Sequence, residues 1–257
     1  MRAIWNGAIG FGLVNIPVKM YSATESSSLD LDMLDKADLS NIKFKRVNEK
    51  TGKEVEWNNI VKGYKMDGRY IVLTDEDFDA ASPEKSRVFS IQQFVDIDEI
   101  DSVYFETPYF LEPQKNGENA YSLLLEALKK TKKVGVGTFI LRSKEILGIV
   151  KPYGDILIIN KIRFPEELRE HEELNIPEKT VKPGELKMAI TLIEQSSDKF
   201  DSEQYKDMYN ADLMKIIEQK AKGKTPKLTV TEEESDNTID LMAKLKASLE
   251  KTKKKVS

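Results

Sequence analysis

The sequence predicts an α+β fold, mainly β, in which a barrel or sandwich of short strands precedes a helical C-terminal region. Three observations carry this prediction. Runs rich in Val, Ile and Phe recur through residues 1–162, separated by short polar or glycine-containing turns. Within that part, residues 119–132 form the clearest helical pattern. After Phe164-Pro165 the strand-like runs stop and amphipathic helical stretches take over.

The elements follow in order. Gly7, Gly10, Gly12 and Pro17 stand among Ile9, Phe11, Leu13, Val14, Ile16 and Val18, which suits a strand with a bend or bulge at the glycines. Ile42, Phe44 and Val47, then Val55 and Trp57, read as two strands joined by an exposed turn at Thr51-Gly52-Lys53. Residues 64–73 read as a hairpin turning at Asp67-Gly68. Thr74 with Asp77 three residues on signals a capped short helix, TDEDFDAA. Strands are expected over 89–97 and 103–111. A helix is expected over 119–132, with Tyr121, Leu124, Leu125 and Leu128 on its apolar side. Strands follow over 136–141, 146–150 and 156–162. Pro183-Gly184 opens a helix to about Gln195, and a second is expected from about Ser202 to Ala221. Residues 223–237 read as a linker. Residues 238–251 read as a last amphipathic helix, with Ile239, Met242, Leu245 and Leu249 in one stripe, before the basic tail KTKKKVS.

Composition narrows the function. The 257 residues include no cysteine and one histidine, His171. Disulfides, thiolate metal sites, thiol catalysis and any zinc site needing two imidazoles are excluded. No run of about 18 apolar residues exists, so no membrane span is expected, and the N-terminus does not read as a signal peptide. The reading is a cytoplasmic protein. The net charge of −4 argues against nucleic acid, but the charge is segregated. Residues 75–112 carry eleven Asp/Glu against two Lys/Arg, residues 129–163 nine Lys/Arg against two Asp/Glu, and residues 43–53 five against one. A local basic face governs polyanion binding more than the sum does.

The motifs that suggest catalysis fail on inspection. Lys65-Met66-Asp67-Gly68 matches the K-x-D-G core of nucleotidyl-transferring ligases, but Tyr70 stands where that pattern wants arginine. A hairpin turn explains the same residues. Gly223-Lys224-Thr225 lacks the glycine of a phosphate loop, because position 218 is Glu. His171-Glu172-Glu173-Leu174 runs into Asn175, so the second histidine of a zincin is missing. Nothing demands an enzyme, a metal or a cofactor.

Taken together, a series of motifs resembles one family. These are Arg2-Ala3-Ile4-Trp5-Asn6-Gly7 through Phe11-Gly12-Leu13-Val14-Asn15-Ile16-Pro17-Val18, then Lys43-Phe44-Lys45-Arg46-Val47, Ile60-Val61-Lys62-Gly63-Tyr64 and Val72-Leu73-Thr74-Asp75-Glu76-Asp77. Tyr109-Phe110-Leu111-Glu112-Pro113, Leu141-Arg142-Ser143-Lys144, Phe164-Pro165-Glu166-Glu167, Asp240-Leu241-Met242 and Leu245-Lys246-Ala247-Ser248 complete it. In number and order they resemble bacterial Ku, the DNA-end-binding protein of non-homologous end joining. Residues 29–41 depart from the family pattern in being unusually acidic.

The resemblance implies a Ku-type β-barrel core over residues 1–182 with a DNA-bridging arm at about 28–60. It implies a helical dimerisation arm over 183–222, the linker, and a ligase-recruiting helix and tail over 238–257. Two copies would form a homodimeric ring that threads onto double-stranded DNA ends. A multifunctional ATP-dependent DNA ligase would be the partner, recruited through Ile239, Met242, Leu245 and Leu249. The inner surface would carry Lys19, Lys43, Lys45, Arg46, Lys50, Lys53, Arg142 and Lys144, and the protein would be nucleoid-associated. Two alternatives stand beside this reading: a nucleotidyl transferase using Lys65, and a DNA-independent scaffold docking through the last helix.

Overall fold

A computed structural model of the chain describes residues 1–81, 87–142, 144–177 and 180–224. The chain divides into two units. The first takes residues 1–26 and 30–170, and the described part of the second takes 27–29 and 171–224 except 178 and 179.

In the first unit, β1 (Trp5–Phe11) and β2 (Val14–Ser22) form an antiparallel hairpin. The chain then runs through a ribbon of β3 (Lys62–Met66) and β4 (Arg69–Leu73) and a short helix, α1 (Asp75–Ala81). Strands β5 (Val88–Asp96) and β6 (Phe105–Pro113), helix α2 (Glu118–Thr131), and strands β7 (Lys133–Leu141), β8 (Lys144–Tyr153) and β9 (Ile156–Ile162) follow. Seven strands close into a barrel in the order β1-β2-β6-β9-β8-β7-β5. Six of the seven joints are antiparallel; the seventh pairs β5 parallel to β1 over Ala8–Val88, Ile9–Phe89 and Gly10–Ser90.

Strand alternation builds the core. Along β2, Ile16, Val18 and Met20 are fully buried while Lys19 faces out. Phe89, Phe139, Val150, Leu157 and Ile159 complete the interior, with Phe139 edge-on to Trp5. The same cluster takes in Tyr121, Leu124, Leu125 and Leu128, the buried stripe of α2, which rests on β2, β7 and β8. These four residues are the apolar set expected from sequence. The Tyr121 hydroxyl donates to Leu111 O at 2.8 Å and accepts from Leu157 N at 2.7 Å, tying the helix to β6 and β9. At Gly137 on β7, a Cβ would come within 2.0 Å of Ser90 O, so only glycine lets β5 and β7 approach at the bulge between Ile91 and Gln93.

The outer face of β7, β8 and β9 has its own small core. Val134, Ile149 and Ile162 are covered by Ile97, Ile100, Tyr104 and Phe105 from the segment before β6. On the same face of β9, Asn160 is buried at 8% exposure, and its Oδ1 accepts no hydrogen bond.

Local chemistry moved several boundaries. Asp101 caps a separate 3-10 turn, Ser102–Tyr104, and so β6 starts at Phe105 rather than 103; Ser202–Gln204 forms another such turn under Asp201. The second C-terminal helix, α4 (Met208–Ala221), starts six residues later than expected, because Asp207 accepts from Asn210 N and forms the true N-cap. Tyr205, expected inside that helix, stacks instead on Phe200. The first C-terminal helix, α3 (Pro183–Gln195), has the expected bounds. The expected strands around 42–47 and 55–57 form only one isolated bridge, Val47–Glu54, and Trp57 opens a 3-10 turn. The Asn48 side chain accepts from Lys50 N and Thr51 N, so the turn is local and no continuous ladder extends from it. The 238–251 helix lies outside the described residues.

Two stability measurements test this packing. Tyr121→Phe leaves Leu157 N and Leu111 O buried with one partner fewer. Chemical denaturation should show a loss of about 1–3 kcal/mol; an unchanged midpoint would remove the hydroxyl from the barrel's support. Asn160→Val removes a buried side chain whose Oδ1 is unsatisfied and adds a β-branched residue to a strand. It should leave stability unchanged or raise it by about 1 kcal/mol, whereas a clear loss would mean that the amide has a role in the native state.

Candidate nucleic-acid interface

The arm between β2 and β5 is the least buried part of the first unit. Across residues 30–81 no residue is buried, and only Val55 and Leu73 are even half-buried. The β3–β4 ribbon exposes residues on both of its faces. Its turn follows the chemistry of Asp67-Gly68: both residues have positive φ, 48° and 78°, as a tight hairpin needs. The α1 cap is also as expected, with Thr74 Oγ1 accepting from Asp77 N and the Asp77 carboxylate accepting from Thr74 N and Oγ1. Those bonds hold the Asp77 carboxyl below its ordinary pKa.

Five expected cations share this arm. Lys43, Lys50 and Lys53 are exposed and make no ion pair among the described residues. Lys45 Nζ lies 2.7 Å from Glu54 Oε2. Arg46 lies with its guanidinium 4.5 Å from the centroid of the Trp57 ring. Lys62 of β3 sits 4.4 Å over the Phe78 ring, fastening α1 to the ribbon. The other three expected cations stand on the barrel. Lys19 is on the outer face of β2, opposite Glu112 of β6 in register. Arg142, in a left-handed conformation at φ 52°, and Lys144 flank the β7–β8 turn, both exposed. β2 and the β7–β8 pair are not neighbours in the barrel, so these three do not form one cluster within the chain.

The basic run at 129–163 is partly used up inside the fold. Lys129 pairs with Glu126 and Asp155, Lys133 with Asp96, and Lys161 and Arg163 both with Glu106. Arg163 also donates to Val103 O and Phe105 O. Lys151 is half-buried with its ammonium 5.6 Å from the Phe105 ring, and burial pushes its pKa down. Among the described residues Lys130, Lys132, Arg142 and Lys144 remain without an ion pair. Linear charge density could not reveal this sorting, because apart from Glu126 the acidic partners lie 26 to 57 residues away.

Sequence reasoning missed Trp57 as part of this surface, having read it as a strand residue. Its signal was available, an aromatic residue beyond the turn from Arg46. Lys65 is exposed on the ribbon opposite Tyr70. A nucleophilic lysine needs desolvation or neighbouring cations, and this exposed position supplies no desolvation.

Among its described residues, the second unit carries apolar side chains and buries none of them. No residue of α3 or α4 is buried. Leu186, Ile190 and Ile193 of α3 and Met208, Tyr209, Met214 and Ile217 of α4 are all exposed. Phe200 and Tyr205 stack between the helices, each more than three-quarters or close to three-quarters exposed.

Comparison with known proteins agrees with this geometry. The family model described as "Ku70/Ku80 beta-barrel domain" matches residues 10–188. A Coxiella burnetii protein named non-homologous end joining protein Ku is 40% identical, with the alignment covering 100% of this chain and 98% of the relative. Proteins of the same name from Cupriavidus necator and Bacillus subtilis are 41% and 38% identical, over 96% and 99% of this chain and 77% and 83% of the relatives. A closed seven-stranded barrel, an excursion carrying exposed cations, and this breadth of similarity lead to one assignment: the chain belongs to the bacterial Ku family.

Proposed function

We propose that the protein is a homodimeric clamp that threads onto double-stranded DNA ends in non-homologous end joining and brings an ATP-dependent DNA ligase to them. The observation that carries this reading is the unfinished arm. Residues 30–81 bury nothing, yet they display Phe44, Trp57, Tyr64, Tyr70, Ile71 and Val72 beside Lys43, Arg46, Lys50 and Lys53. An isolated two-stranded ribbon is marginal in water. A surface that is both apolar and cationic is completed by a second copy on one side and a polyanion on the other. The apolar faces of α3 and α4 have the same need, and an isologous interface meets it. The relatives' printed name supplies the pathway.

A closed ring selects ends by topology, because it cannot encircle a duplex that has no end. Its contacts are to phosphate, through Lys19, Lys43, Arg46, Lys50, Lys53, Arg142 and Lys144, without base readout. The ligase would dock on the 238–251 helix through Ile239, Met242, Leu245 and Leu249, which lie outside the described residues. No catalytic step of its own is part of this reading.

A gel shift with one plasmid tests the clamp. The linear form should bind with several copies per molecule while excess supercoiled circle fails to compete. Equal binding to both forms would leave a generic basic surface and sink the ring.

The arm is tested by Lys43→Glu, Arg46→Glu and Lys50→Glu together. If the ring neutralises about eight phosphates, the log–log salt dependence of wild-type end binding should have a slope of roughly −7. The triple variant should lose at least about tenfold in affinity and flatten that slope to roughly −2, since each of the two copies loses three phosphate contacts and each contact removes about 0.9. Wild-type affinity in an intact dimer would take the arm off the DNA.

A further inference from the structure

Lys45 and Arg46 are adjacent in sequence, and the structure gives them opposite fates. Lys45 lies against Glu54 at 2.7 Å, an exposed ion pair across the arm turn. Arg46 is held twice. Its carbonyl accepts from Val55 N at 2.8 Å, and its guanidinium lies over the Trp57 ring at 4.5 Å. The ring itself is 69% exposed. Both anchors come from the segment beyond the turn, one residue to either side of Glu56.

The two arrangements differ in what they leave for a phosphodiester. A guanidinium stacked on an aromatic face keeps its N–H donors in its own plane, free for a bidentate contact. Stacking also reduces the rotamers that binding would otherwise have to freeze. An ammonium paired with a carboxylate is different. To meet a phosphate it must leave Glu54, and it would bring that negative charge up to the DNA backbone.

We infer that Arg46, positioned by Trp57, is a dedicated backbone-phosphate ligand of the arm, and that Glu54 holds Lys45 off the DNA. Trp57 is then a positioning residue and Glu54 a restraint on affinity. This rests on the DNA-clamp reading, and the wild-type control separates the two: wild-type protein that shows no preference for linear over circular plasmid overturns the clamp itself.

The test uses the full-length dimer and a blunt linear duplex, with affinity measured across a salt series. Trp57→Ala changes no charge, yet it should weaken end binding about tenfold and make the salt slope shallower by about 1.8, one phosphate contact in each copy. Trp57→Phe keeps an aromatic face and should restore most of the loss. Glu54→Gln should tighten binding severalfold and steepen the slope by about the same amount, as Lys45 becomes available. Glu49→Gln, the same charge change on the same loop, should move the slope less. A Trp57→Ala variant that loses affinity with its slope unchanged would make Trp57 merely structural and overturn the assignment. So would a Glu54→Gln variant that behaves like Glu49→Gln.

Discussion

The barrel closes through one short parallel pairing, Ala8 to Gly10 of β1 beside Val88 to Ser90 of β5, and the arm depends on that closure. Antiparallel neighbours can be joined by a tight turn, as β1–β2, β7–β8 and β8–β9 are. The strand that completes the barrel beside β1 cannot arrive that way. Between the end of β2 and the start of β5 the chain makes its long excursion, and everything cationic and unpartnered in residues 30–81 lies on it. Closure also removes the free edges that β1 and β5 would otherwise present. Among the described residues, the strand edges that remain belong to the ribbon β3–β4.

Rigidity and incompleteness are therefore divided along the chain. The barrel is packed to zero exposure at Ile9, Ile16, Val18, Met20, Phe89, Val150, Leu157 and Ile159, and α2 seals it with Tyr121 bonded to two strands. The arm and the helices α3 and α4 bury no residue, though both are rich in large apolar side chains. The chain concentrates its core in one place and leaves apolar surface exposed in two others. Large exposed apolar patches mark interaction sites.

The cations follow the same division. On the barrel, acidic partners claim Lys129, Lys133, Lys161 and Arg163, so these charges support the fold. On the arm, Lys43, Lys50 and Lys53 make no ion pair among the described residues and Arg46 is paired with a ring, which orients its charge without cancelling it. Net charge of −4 is thus a poor guide to what this surface can hold.

Wherever the controlling interaction is local, the sequence alone determined the structure. The buried stripe of α2 follows from spacing. The hairpin at Asp67-Gly68 follows from two residues tolerant of positive φ, and the α1 cap from Thr74 and Asp77 three apart. The ordered series of motifs was enough to indicate the Ku barrel. Tertiary structure decided whatever depends on residues far apart in the chain. Strand order placed Lys19 away from Arg142 and Lys144, and distant carboxylates withdrew half of the basic run from use. The cap at Asp207 delayed α4, and the ring of Trp57 under Arg46 gave one cation of the Lys45-Arg46 pair a different neighbour from the other. Turn and helix signals are written within four residues. Ion pairs and strand neighbours are set by the closure of the barrel and the path of the arm, which no short window of sequence contains.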